Sequence, residues 1–125
     1  MIELTLCLWL REFAGMLGVV PNIFAINLPK TALYPALKVS TLNNGFSQTF
    51  DGLTGEQTAM IQLDYWAKST DEIKAIKAKL VAFFDELAKS QSNILTAHDL
   101  REQPSFEPNQ DIFKQTLELT ISYKD

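Results

Sequence analysis

A single histidine, His98, and a single cysteine, Cys7, set narrow limits on the chemistry this chain can do by itself. One histidine rules out a multi-histidine metal site and paired-imidazole acid–base chemistry within one chain. Its neighbour Asp99 is poorly placed to orient it, because adjacent strand residues point to opposite faces. One cysteine rules out an internal disulfide and a cysteine-based metal centre. As a nucleophile Cys7 would need a lowered pKa and His98 beside it. Its leucine-rich surroundings predict inert packing instead. Asp51, Glu56 and Asp64 are the carboxylates a divalent cation would draw together. Their spacing is not that of a calcium loop, and no G-x-G-x-x-G or phosphate-loop pattern is present. They are expected to be solvated loop acids. Trp66, at a strand-to-helix junction, is expected at the rim of the core. These residues point away from catalysis, with no metal or cofactor implied.

The elements that would position them are easier to read. From Ala59 to Tyr65 the odd positions are apolar and Met60, Gln62 and Asp64 lie between them, a period of two with one buried face. Ser69-Thr70-Asp71-Glu72 then has the form of a capping box, with acids suited to the positive end of a helix. Ile73, Ile76, Leu80, Phe83, Phe84 and Leu87 follow within roughly a 100° arc, so this helix is amphipathic. Residues 2–17 alternate as a strand would, yet Ile2, Leu6, Trp9, Leu10, Phe13, Met16 and Leu17 also share one helical face. Leucine predominance favours helix, with Gly18 as its stop before Pro21. Leu4 and Leu8 then lie off the main stripe, covered either by another subunit or by a core that wraps the helix on two sides.

Short strands are expected over 22–28 and 35–42, with Leu37 and Val39 on the apolar side of the second. Asn43-Asn44-Gly45 and Asp51-Gly52 read as turns. Residues 43–56, with Phe46, Phe50 and Leu53, therefore form a long connection between antiparallel strands, a protruding hairpin or loop. Strands over 94–100 and 112–123 complete the set. The fold class is α+β: an antiparallel sheet of four to five strands, with an N-terminal helix and a long amphipathic helix (about 70–89) packed on one face.

The 125 residues suit one domain spanning the whole chain. A formal charge of −4 argues against a surface that tracks nucleic-acid phosphates. The apolar start carries Glu3, lacks a basic opening and is cut short by Arg11-Glu12, unlike a signal peptide or a membrane span. The expected location is inside the cell.

The run Thr49-Phe50-Asp51-Gly52-Leu53-Thr54-Gly55, then Met60-Ile61-Gln62-Leu63-Asp64-Tyr65-Trp66-Ala67-Lys68-Ser69, then the capped helix, resembles one family. It is similar to the tail completion proteins of long-tailed bacteriophages and prophages, also called tail terminator or head-to-tail joining proteins. These show a D-G turn, a "v-Q-i-D-x-W-a" strand, an acidic-capped helix and a closing strand with an aromatic near its end, here Tyr123. Tyr34-Pro35 approximates the family's entry to the second strand, and residues 90–111 carry no family signature. The resemblance implies a non-enzymatic ring former, commonly hexameric, that caps the finished tail tube and joins tail to head. Its implied partners are further copies of itself, the major tail tube protein and a head–tail connector. DNA would pass through the ring without tight binding, and no membrane is involved. Its place is the virion tail, reached from the host cytoplasm during assembly. Candidate contact residues are Leu4 and Leu8 on the first helix, with Phe46, Phe50, Asp51 and Leu53 on the hairpin. The hairpin either touches the tube or lumen, or folds its phenylalanines back on the sheet. Two other expectations stand beside this: a small α+β ligand-binding module built on Trp66 and nearby acids, and an enzyme with residues pooled at a subunit interface.

Overall fold

The computed structural model describes residues 2–49, 52–90, 94–103 and 112–124, with the side chains of 43–49, 52–56, 88, 90, 94–103 and 124 left aside. The elements are α1 (Ile2–Glu12), α2 (Met16–Val19), β1 (Asn22–Ala25), β2 (Ala36–Thr49), β3 (Gly52–Ala67), α3 (Thr70–Ser90), β4 (Ile94–Gln103) and β5 (Phe113–Lys124). The strands form one sheet in the order β1-β2-β3-β5-β4. This is the expected α+β arrangement.

β3 is the central strand, and its period-two pattern explains the layering. Ala59, Ile61, Leu63, Tyr65 and Ala67 are buried on the side that carries the helices. Leu37 and Val39 of β2 and Leu117, Leu119, Ile121 and Tyr123 of β5 extend the same apolar layer. The Tyr123 hydroxyl donates to Gln57 Oε1 at 3.0 Å, which satisfies its polar end inside that layer.

α3 lies across this face with Ile76, Leu80, Phe83, Phe84 and Leu87 buried and Ile73 partly so. Each such side chain contributes about 1.5–3 kcal/mol on burial. The capping box forms as expected: Ser69 Oγ accepts from the Glu72 N–H at 3.2 Å and donates to Glu72 Oε1 at 3.4 Å. α1 buries Ile2, Leu6, Cys7 and Leu10 beside it, and Phe13 meets Phe83 edge-on with ring centroids 5.5 Å apart.

Three expectations need correction. The first helix breaks at Gly15, not at Gly18, which lies inside α2. Gly15 holds φ 80 and packs against Lys79, whose Nζ would sit 2.7 Å from an added Cβ. Only glycine reaches that conformation cheaply, so the chain turns there and Leu17 ends up exposed. Asn43-Asn44-Gly45 is not a turn. These residues continue β2 opposite Met60, Ala59 and Thr58, with bulges between Thr41 and Asn43 and between Phe46 and Gln48. The sheet is also mixed, because β1 runs parallel to β2. A parallel partner usually needs a longer crossover, but β1 spans only four residues, or roughly 13 Å of return path, and the connection covers that without a helix, through a turn at Pro29–Ala32. Asn22 Nδ2 ties the connection down by donating to the Leu33 and Pro35 carbonyls at 2.9 and 3.1 Å.

Ile26 opens that connection at φ 72, a conformation that costs a β-branched residue steric strain. Its N–H still reaches Val39 O at 2.8 Å. Backbone groups alternate sides along a strand, so the Ile23 carbonyl, three residues back, points to the outer edge of β1. Arg11 Nη2 donates to it at 2.6 Å and occupies that edge.

Candidate functional site

The helices cover one face of the sheet, and among the described residues the other face carries none of them. On this second face β3 presents Gln62, Asp64 and Trp66, which alternate with the buried apolar set. Asp64 is 1% exposed, so it is no solvated loop acid. Four donor contacts fill its carboxylate. Thr116 Oγ1 of β5 donates to Oδ1 at 2.6 Å, Gln62 Nε2 lies 3.1 Å from Oδ1 and 2.9 Å from Oδ2, and Lys38 Nζ of β2 lies 3.5 Å from Oδ2. The register places Lys38 and Thr116 directly opposite Asp64 on its two flanking strands. One carboxylate thus bonds the three central strands together.

Trp66 sits one step further along the same row of side chains and is 9% exposed. Lys114 Nζ lies 5.4 Å from its ring centroid and Lys38 Nζ 6.0 Å. Both cations fall within the range where the ring's negative face attracts them. Trp66 is a rim residue, as expected, but of the helix-free face. At the far end of this face Met60 and the bulge residue Leu42 are exposed.

The candidate residues fall in separate places. Leu4 and Leu8 lie on the outer side of α1, 56% and 54% exposed, so the core does not wrap that side of the helix. Phe46 and Leu53 belong to the β2–β3 hairpin, opposite Gln57 and Gln48 in the backbone register. Phe50 and Asp51 lie outside the described residues. β5 pairs with β3 only from Glu56 onward, while β2 and β3 remain paired to Thr49 and Gly52. Only the part of the hairpin beyond Phe46 and before Glu56 runs past β5 as a two-stranded extension, so the protrusion is shorter than the expected 43–56, because Asn43–Phe46 still pair where β3 also carries β5.

Cys7 is buried in the core. Burial pushes its thiol up from the ordinary 9.0, Arg11 pulls it down and Glu3 adds to the rise. The neutral thiol is favoured, as inert packing requires. Among the described residues no three His, Cys, Asp or Glu side chains are placed to hold a metal ion, and no helix is long and apolar enough to cross a membrane.

Residue types alone do not mark Gln62, Asp64 and Trp66 as one group. Their signal is the Q-x-D-x-W spacing itself, which puts all three side chains on one face of one strand.

The fold is that of a small α+β protein with both long helices on one side of a five-stranded sheet. It is similar to the solved structure of the gp17 protein of bacteriophage SPP1, with a TM-score of 0.56 over 94% of this chain and 84% of that one. The two sequences are 12% identical over the match, so the likeness is one of fold. No family model and no curated protein sequence matches the chain.

Proposed function

We propose that this chain is a structural assembly protein of a long-tailed phage or prophage, which forms a ring that ends the tail tube and joins tail to head. The observation that carries the proposal is the coincidence of two independent likenesses. The ordered run from Thr49 to the capped α3 resembles tail completion proteins, and the fold matches a bacteriophage protein along nearly its whole length. The mechanism is one of geometry. Docking of the ring on the last tube ring blocks further polymerisation and offers a new face to the connector. A closed ring needs a heterologous contact, in which one patch meets a different patch on the next copy. The exposed Leu4–Leu8 face and the two-stranded extension of the β2–β3 hairpin are the surfaces available for such work. The acidic balance favours passage of DNA over retention, since each neutralised phosphate adds affinity.

A ligand-binding module built on Trp66 and its neighbouring acid is the weaker reading. The indole is nearly covered, and the Asp64 carboxylate already has its donors within the sheet. The test is an amber mutation in this gene of a phage that carries it. Expected particles are separate heads and headless tails of uncontrolled length in negative-stain images, rescued by supplying the protein. Complete virions of normal length would overturn the proposal.

A further inference from the structure

At the end of the sheet where β1 and β2 begin and α3 starts, a groove of 510 Å³ lies open. Val19, Pro21, Pro35 and Ala75 give it apolar walls, and Asp71 and Glu72 add two carboxylates. Among the described residues no cation lines it. The two acids outweigh the half positive charge at the start of α3, so the groove suits an apolar group that travels with a cation. A cavity of roughly 150 Å³ takes up benzene, so this one has room for a leucine side chain and the stem of a lysine.

The connection between β1 and β2 ends at the same place, and it carries that pair. Leu33 is 73% exposed, more than any other large apolar residue described, and Lys30 is exposed with no ion pair among the described residues. A single exposed leucine is ordinary. This one is held in position. The Ala32 N–H donates to Pro29 O at 3.0 Å, and Asn22 Nδ2 donates to the Leu33 and Pro35 carbonyls. A group ordered before its partner arrives loses little freedom on docking. Three residue steps keep Lys30 and Leu33 within about 10 Å of each other, which is also the width of a compact space of 510 Å³.

Leu33 and Pro35 are two residues apart, no more than about 7 Å, so loop and groove adjoin in each copy. The exposure of Leu33 means that it does not fill its own groove. A copy whose loop enters a neighbour's groove therefore brings its own groove against that neighbour's loop. The contact closes on itself about a two-fold axis.

We propose that two free copies of this chain pair end to end in this way, with Leu33 and Lys30 of each seated in the groove of the other and Lys30 beside Asp71 and Glu72. The pairing goes beyond the ring reading and does not rest on it. It uses neither the Leu4–Leu8 face nor the hairpin extension.

Sedimentation velocity of the full chain, up to about 500 µM, reads the pairing directly. The expected result is a monomer–dimer equilibrium. Gly18, which also lines the groove, supplies the first variant: an added Cβ there meets nothing within 4 Å, so the fold accepts Gly18→Leu while the groove loses its space. That variant should pair about tenfold more weakly. Lys30→Glu should weaken pairing about tenfold as well, because each pair makes the contact twice, and adding Asp71→Lys to it should recover about threefold or more. Leu8→Ser, on the outer face of α1, should change nothing. Circular dichroism checks that each variant is folded. A chain that stays monomeric throughout overturns the proposal. So does self-association of any size that is indifferent to both Gly18→Leu and Lys30→Glu.

Discussion

Asp64 offers the sharpest test of how this sheet holds together. Asp64→Ala removes the Thr116 Oγ1 bond at 2.6 Å, the paired Gln62 contacts and the Lys38 ion pair at once. A buried hydrogen bond to a charged group is worth about 1.5–3 kcal/mol, and the Gln62 pair adds about 1 kcal/mol. Lys38 contributes less, because its side chain is 27% exposed and can turn to water once its partner is gone. The expected cost is about 4 kcal/mol. For a chain of this length each kcal/mol is worth roughly 4 °C, so the melting temperature should fall by about 15 °C. Asp64→Asn keeps the shape and the Thr116 bond but turns an amide donor toward Gln62 or Lys38, and should cost about 1–2 kcal/mol. Urea denaturation followed by Trp fluorescence and circular dichroism measures both. A loss below about 1 kcal/mol for Asp64→Ala would refute the reasoning that this carboxylate bonds β2, β3 and β5 together, as would equal losses for the two variants.

Other expectations follow from single features. Leu80→Ala, at the fully buried centre of α3, should cost about 2–5 kcal/mol in the same assay. Ser69→Ala removes the cap of α3 and should cost about 1 kcal/mol. Ile26→Asn should stabilise by roughly 1 kcal/mol, because asparagine tolerates the positive φ that strains isoleucine; a loss of stability would show that the Ile26 side chain matters more than its backbone. The raised Cys7 pKa gives a signed pH effect. The buried neutral thiol keeps its full contribution below the unfolded value near 9.0, and loses it as pH rises through the higher folded value. Stability should therefore fall above about pH 9, and fall less steeply in Cys7→Ala, as read by denaturation at several pH values.

How much was legible in the amino-acid order depended on range. α3 and the core of β3 declare themselves because period, cap and length agree within 30 residues of chain. Asn43-Asn44-Gly45 misled because turn preference is local, whereas a long hairpin supplies cross-strand bonds and a bulge that absorb those residues into β2. The direction of β1 left no trace in its own four residues, since pairing partner and sense are decided by the strand it meets. Asp64 looked like an ordinary surface acid for the same reason: its Thr116 partner is 52 positions away. The break at Gly15 also required tertiary knowledge, because Gly18 is an equally good stop by type and only the approach of Lys79 distinguishes them.

The Arg11 guanidinium on the Ile23 carbonyl bears on how copies of this chain can meet. An unguarded strand border invites endless main-chain pairing, the route by which sheets grow into fibres. With a cation parked on that border, lateral growth of the sheet through β1 is discouraged, and β4 forms the other border. For the ring proposed above, that guard closes one of the two borders through which sheets could join without limit.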